Sequence, residues 1–184
     1  GMGVVTIAVA IFMFAGKRIG LKQRWVMQES ISAPQVGGIV RMTGFILKTA
    51  FLIEGIGALL LALRFCPQFG LGRGLWYAVF HSVSAFCNAG FDLMGVNSPF
   101  SSLTDYVGDP LVSNVIAFLI IIGGVGFLTW NDIREHKLHF RRYRLQSKLI
   151  LTTTLALILT GLLFFLLYEF EQGQWVDMSL WERI

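Results

Sequence analysis

Three long apolar runs constrain this chain more than any other feature. They are 42–63 (MTGFILKTAFLIEGIGALLLAL), 111–130 (LVSNVIAFLIIIGGVGFLTW) and 149–168 (LILTTTLALILTGLLFFLLY). A helix needs about 20 mainly apolar residues to cross a hydrocarbon core of about 30 Å. Each run meets that length, and residues 1–15 read as the end of a fourth crossing. Of the 184 residues, 55% are hydrophobic and only 14% charged, where a soluble globular chain carries about 25% charged residues. The sequence predicts an all-α, multi-pass membrane protein. The apolar start at residue 1 and the end in QWVDMSLWERI lead us to expect a piece of a longer chain.

A fourth apolar segment, GLWYAVFHSVSAF at 74–86, is too short to cross. Thirteen residues rise about 20 Å as a helix. The charges on either side say what it does. Two stretches are strongly basic: 16–41, with Lys17, Arg18, Lys22, Arg24 and Arg41, and 131–148, with Arg134, Lys137, Arg141, Arg142, Arg144 and Lys148. Short cytoplasmic loops carry the excess of Lys and Arg, so both belong inside. Two crossings between them, 42–63 and 111–130, satisfy this, and a third would not. The short segment therefore enters from outside and returns to the same side. The unit is helix, re-entrant half-helix, loop, helix. It also repeats: GMGVVT at 1–6 and GVGFLT at 124–129 share the pattern G-x-G-x-x-T, each ahead of a basic stretch, at a period of about 120 residues.

Irregular backbone at membrane depth is tolerated only when buried in protein or lining a wet cavity. The half-helix breaks into CNAGFDL, residues 87–93. Entering from outside, it turns the negative end of its dipole toward the membrane middle, where a cation is favoured. The chain must then return outward with its carbonyls available, and Gly90 supplies the backbone freedom for that turn. Carbonyls that replace an ion's hydration shell are the means by which potassium-type filters work. Asp92, just outside, adds negative potential at the mouth. The bland alternative is an interfacial aromatic helix that only fastens a loop, since Trp and Tyr collect at membrane interfaces.

Other residues invite functional readings that simpler ones outweigh. Glu54 lies inside the first run and is expected to face the protein interior in a structural hydrogen-bonding role. Lys48, nearer the cytoplasmic end, can snorkel. Gly123, Gly124 and Gly126 read as close-packing positions before they read as a hinge. His81 reads as a packed residue bonding a neighbour. Cys66 and Cys87 are too few for a disulfide framework. The net charge of +4 sits beside apolar runs, not on an aromatic-studded surface, so nucleic acid is not an expected partner. No nucleophile–base pair, carboxylate pair or phosphate-binding loop is evident, so no enzymatic chemistry is expected.

HSVSAFCNAGFDL at 81–93 resembles the pore helix and filter of the Trk/Ktr/HKT superfamily of potassium and sodium transporters. IIIGGVGFLTWNDI at 120–133 resembles the end of the helix after that filter, and GMGVVT with the following basic stretch resembles the same position in the first repeat. The resemblance covers essentially the whole chain. It implies a potassium-channel-like pore built from four helix–pore loop–helix repeats in one polypeptide. This chain would hold the end of repeat one (1–41), all of repeat two (42–148) and the first helix of repeat three (149–184). The family's filter glycine falls on Gly90, and the ion-facing carbonyls, within the 87–91 loop, would be those of Asn88, Ala89, Gly90 and Phe91. The implied function is a potassium-uptake pore subunit in a bacterial plasma membrane. A sodium-conducting member is the alternative within the fold, and a non-conducting membrane scaffold the alternative outside it. The resemblance also implies a cytoplasmic nucleotide-binding regulatory subunit, a homodimer of the full-length chain, no covalently bound cofactor, and no metal beyond the permeant cation.

Overall fold

A computed structural model describes residues 39–96, 99–137 and 139–168, and these are helical with no strand among them. The motif at 1–6, the partial crossing at 1–15, nearly all of the first basic stretch and residues 169–184 lie outside the described residues. The helices are α1 (Ile39–Phe69), α2 (Leu71–Phe86), α3 (Pro110–Val125), α4 (Phe127–His136) and α5 (Leu145–Tyr168). Single 3-10 turns stand at Met94–Val96, Thr104–Tyr106 and Phe140–Arg142. Gly44–Phe69 and Leu145–Phe165 are long and apolar enough to cross a membrane, and α3 with α4 makes a third candidate if the bent pair counts as one span.

α1 runs beyond the expected 42–63 at both ends, to 31 residues. Its extra outer turns leave the apolar run at Arg64, whose Nε lies 2.6 Å from Asp109 Oδ2. Pro67 sits in the last turn, and Gly70, with φ of 79°, reverses the chain straight into α2. That reversal needs a residue without a Cβ. α2 therefore starts at Leu71, three residues earlier than expected, and its 16 residues rise about 24 Å.

Close approach fixes how α1, α2 and α3 pack. A Cβ on Gly74 of α2 would lie 2.5 Å from Cys66 Cα of α1, and one on Gly57 of α1 would lie 2.6 Å from Ser82 Oγ of α2. A Cβ on Gly123 of α3 would run into the main-chain carbonyl of Phe86 at the end of α2. In lipid, where apolar helices gain little from leaving an apolar solvent, small residues that admit such contacts are the usual basis of association.

The packing also shows that the 74–93 segment goes in and comes back. Tyr77 and Ala78 of α2 share a buried cluster with Leu61 and Phe65 near the outer end of α1. Phe86, at the other end of α2, packs with Ala50 and Ile53, far down α1, and with Phe127. Met94 is back in the outer cluster with Phe65, beside Tyr106 and Val112. The chain descends along α2 and climbs again within the eight residues from Phe86 to Met94. The fold is the expected one, an all-α membrane architecture of helix, re-entrant half-helix and helix.

The run at 111–130 is not one straight helix. α3 begins with Pro110 at its first position and Asp109 as its cap, Oδ1 accepting from Leu111 N at 3.1 Å and Val112 N at 3.2 Å. It ends at Val125, and α4 leaves at 89°. Gly126 makes the corner with φ of 85°. The glycines thus divide their tasks: Gly123 is a packing position and Gly126 is a bend, so the packing expectation fails at Gly126. Hydropathy could not show this, because Phe127, Leu128 and Trp130 continue the apolar run past the corner.

Asp132 of α4, 1% exposed, binds the start of the next helix. Its Oδ2 accepts from Arg144 N at 3.0 Å and from Ser147 Oγ at 2.6 Å. A carboxylate at a helix N-terminus meets both the unpaired amides and the positive end of the dipole. α5 then begins at Leu145, four residues before the expected 149, and most of its described side chains beyond Ser147 are exposed.

Candidate functional site

The end of α2 sets the geometry of the loop that follows. Asn88 N donates to Ala85 O at 3.0 Å and Ala89 N to Ser84 O at 2.9 Å. With Asn88 in the left-handed region at φ 52°, this is a Schellman termination. Gly90 has φ of 72°. The reversal assigned to Gly90 alone is therefore shared between Asn88 and Gly90. A Cβ on Gly90 would meet nothing within 4 Å, so its requirement is one of backbone conformation and not of space.

Four polar side chains of this segment fall at helical spacing: Tyr77, His81, Ser84 and Asn88. Residues three and four apart share a helix face, and this face meets the outgoing limb. Ser84 Oγ donates to Phe91 O at 2.7 Å and accepts from Phe91 N at 2.9 Å. His81, 2% exposed, places Nδ1 2.7 Å from Tyr77 O, and Leu93 N donates to its Nε2 at 3.3 Å. Asn88 Nδ2 donates to Ile120 O of α3 at 3.3 Å. Ser82, on a different side of α2, donates to Glu54 O of α1 at 2.7 Å.

The predicted site residues sort by what holds them. Asn88, Ala89, Gly90 and Phe91 are all exposed. No hydrogen bond among the described residues uses the carbonyls of Asn88, Ala89 or Gly90, whereas the Phe91 carbonyl is taken by Ser84. Asp92 is exposed, and its Oδ1 accepts from Met94 N at 3.0 Å, closing the turn that leads out of the limb. Glu54 is half-buried on α1, its main chain tied to α2 through Ser82. Lys48 is exposed. His81 is packed and bonded to its neighbours, as expected of it.

Ser82, Ser84 and Asp132 were not singled out by sequence reasoning. The signal for Ser84 was present, as the polar spacing 77, 81, 84, 88 within an apolar helix. At the outer rim, Tyr106 donates to Gln68 Oε1 at 2.9 Å and Arg64 pairs with Asp109. Burial raises the Asp109 carboxyl, but the Arg64 guanidinium and the amides of Val112 and Leu111 outweigh it and hold the group below the ordinary 3.8.

The half-helix descends to an exposed loop in which the carbonyls of Asn88, Ala89 and Gly90 have no donor among the described residues, and the Asn88 side chain ties that loop to α3. In comparison with known proteins, the family model described as TrkH, cation transport protein, matches residues 1–179. The chain belongs to this cation transport family. It is 41% identical over 171 residues to Ktr system potassium uptake protein B of Bacillus subtilis, covering 93% of this chain and 37% of that protein. It is 38% identical over 184 residues to potassium/sodium uptake protein NtpJ of Enterococcus hirae, covering 100% of this chain and 40% of that protein. A Ktr system potassium uptake protein B from Vibrio alginolyticus is 34% identical over 170 residues, covering 92% of this chain and 36% of that protein. The chain thus spans about two-fifths of the length of the relatives it matches. Membership in a Trk/Ktr-type family agrees with the all-helical membrane fold and the re-entrant segment at 74–93.

Proposed function

We propose that this chain contributes one quarter of the selectivity filter of a pore for potassium uptake. The observation that carries the reading is the set of carbonyls at Asn88, Ala89 and Gly90 that no donor among the described residues reaches, in an exposed loop at the C-terminal end of a half-helix. Such carbonyls replace an ion's water, and the helix end adds negative potential. The Phe91 carbonyl, engaged by Ser84, is the weakest of the four as a ligand. Asp92 contributes charge at the mouth, and Glu54 acts structurally. In this reading 1–41 ends one repeat, 42–148 is a complete second repeat and 149–184 begins a third.

Sodium conduction is the second reading, supported by the relative whose name includes both potassium and sodium. Two of the relatives above are named as parts of a Ktr system, and we infer a cytoplasmic nucleotide-binding regulatory subunit meeting the basic stretch 131–148, with the full-length chain acting as a homodimer. Relatives from Bacillus, Enterococcus and Vibrio support a bacterial plasma membrane as its location. The test is growth rescue of a potassium-uptake-deficient cell by the full-length chain, with wild type against Gly90→Asp. Rescue by wild type alone is expected. Equal rescue by both would remove the filter assignment and leave the loop with a scaffolding role.

A further inference from the structure

Residues 88–92 of the returning limb are exposed in this chain, and packing resumes at Leu93. Phe91 is 70% exposed, and nothing would contact a Cβ on Gly90. Beside the limb lies an open cavity of about 250 Å³, lined by Ser84, Asn88, Phe91, Leu103 and Ile116 among others. A filter, however, must hold its carbonyls in place, because discrimination between ions of one charge depends on the number and placement of the oxygens. Among the described residues, hydrogen bonds tie this limb back to α2.

We infer that Ser84 and His81 are the positioning residues of this filter quarter and that they set its ion preference without touching the ion. Ser84 holds both main-chain groups of Phe91, the residue directly after Gly90. One hydroxyl can donate once while accepting, so a single side chain satisfies the whole peptide position. His81 holds the limb two residues further on, through Leu93 N. Its protonation follows from its partners. The Tyr77 carbonyl can only accept, so Nδ1 carries the hydrogen, and the Leu93 amide can only donate, so Nε2 is bare. His81 therefore serves as a neutral ring with a fixed tautomer, wedged edge-on against Phe65 and Phe80. Both residues stand on the buried face of α2, whose own position is set by Gly74 against Cys66 of α1, by Ser82 against Gly57 of α1 and by Phe86 against Gly123 of α3. The carbonyls of Asn88, Ala89 and Gly90 are thus placed by a chain of contacts that begins in the helix packing and ends at two side chains.

This inference rests on the filter reading above and is tested so that the two can fail separately. The full-length protein is reconstituted in liposomes, and potassium and sodium uptake are measured for wild type, Ser84→Ala, Ser84→Cys, Ser84→Thr, His81→Leu, His81→Gln and Gly90→Ala. Cysteine keeps the size of serine but bonds weakly; threonine keeps the hydroxyl. Losing both Phe91 bonds corresponds to about a tenfold fall in the potassium-to-sodium uptake ratio. The fall is expected for Ser84→Ala and Ser84→Cys, with Ser84→Thr retaining most of the preference. His81→Leu is expected to lose preference and His81→Gln, which keeps an acceptor for Leu93 N, to recover part of it. A purely structural role would lower the amount of folded protein and both fluxes alike, leaving the ratio unchanged. An unchanged ratio in Ser84→Cys while Gly90→Ala loses preference would overturn the positioning role and leave the filter reading intact. An unchanged ratio in Gly90→Ala as well would overturn both. Should Ser84→Ala fail to reach the membrane, the cysteine and threonine variants decide the matter.

Discussion

Among the described residues, one glycine with positive φ stands in the loop after α2 and another at the end of α3, and what holds the backbone around them differs. α2 terminates toward Gly90, at φ 72°, and α3 at Gly126, at φ 85°. At the second, the last turns of α3 gain side-chain donors: Trp130 Nε1 donates to Ile122 O at 3.2 Å, and Asn88 reaches Ile120 O. The corner is closed and a new helix leaves it at 89°. At the first, the carbonyls of Asn88, Ala89 and Gly90 have no donor among the described residues, while the main-chain groups that follow them, at Phe91 and Leu93, are held by Ser84 and His81. The same local device, a glycine that a Cβ would strain, makes a structural corner in one place and an ion-binding candidate in the other. What separates them is where the chain goes next: a new helix leaves Gly126, and an irregular limb leaves Gly90.

Substitution at the two glycines is the strongest way to break that comparison. Forcing a Cβ into a left-handed conformation costs about 1–2 kcal/mol at either position. Gly90→Ala should lower potassium uptake by about tenfold or more with the protein still in the membrane. Gly126→Ala should instead lower the detergent melting temperature of the full-length protein and spare ion preference. Glu54→Gln serves as the control within the same bundle, and its uptake should fall less than that of Gly90→Ala. Equal losses for Gly90→Ala and Glu54→Gln would contradict the division between filter and scaffold.

Gly123→Ala comes next, because its Cβ meets a main-chain oxygen that cannot rotate away. Overpacking of this kind costs about 1–3 kcal/mol. Since the oxygen belongs to Phe86, directly ahead of the loop, melting temperature and potassium preference should drop together. A loss of stability with preference intact would show that the end of α2 tolerates displacement.

Trp130→Phe sharpens the other side of the comparison. It removes the donor to Ile122 O and keeps most of the ring, a loss of about 0.5–1.5 kcal/mol. Thermal stability should fall modestly, and uptake by the folded fraction should match wild type. The smallest effect belongs to the outer rim. Arg64 holds Asp109 ionised below the ordinary 3.8, so the pair's contribution is complete above that value and lost as pH falls through the depressed one. Acid melts of wild type and Asp109→Asn should therefore converge only below about pH 4, and the gap above it should be small because the Arg64 side chain is 48% exposed.

Much of the architecture was legible before any coordinates. The apolar runs placed α1 and α5, and the parity of the basic stretches required 74–93 to return to the side from which it came. Both signals are one-dimensional: length against bilayer thickness, and charge on each side of it. The errors lie where that information ends. The run at 111–130 conceals a right-angled corner because apolar residues continue through Gly126. The helix ends were extended by contacts outside the runs, Arg64 with Asp109 at one and Asp132 with Arg144 at another.

The sequence by itself determined that this is a membrane protein, which segment turns back, and that the turn is made around residues 87–91. Composition, hydropathy and charge act along the chain and need no partner to be read. Only the tertiary structure decided which carbonyls of that turn stay open and which side chains hold it. Those outcomes depend on donors brought close by packing, as Gly57, Gly74 and Gly123 let three helices approach within reach. Ser84 is an ordinary serine in a helix until Phe91 returns past it, and then it holds the returning limb of the loop.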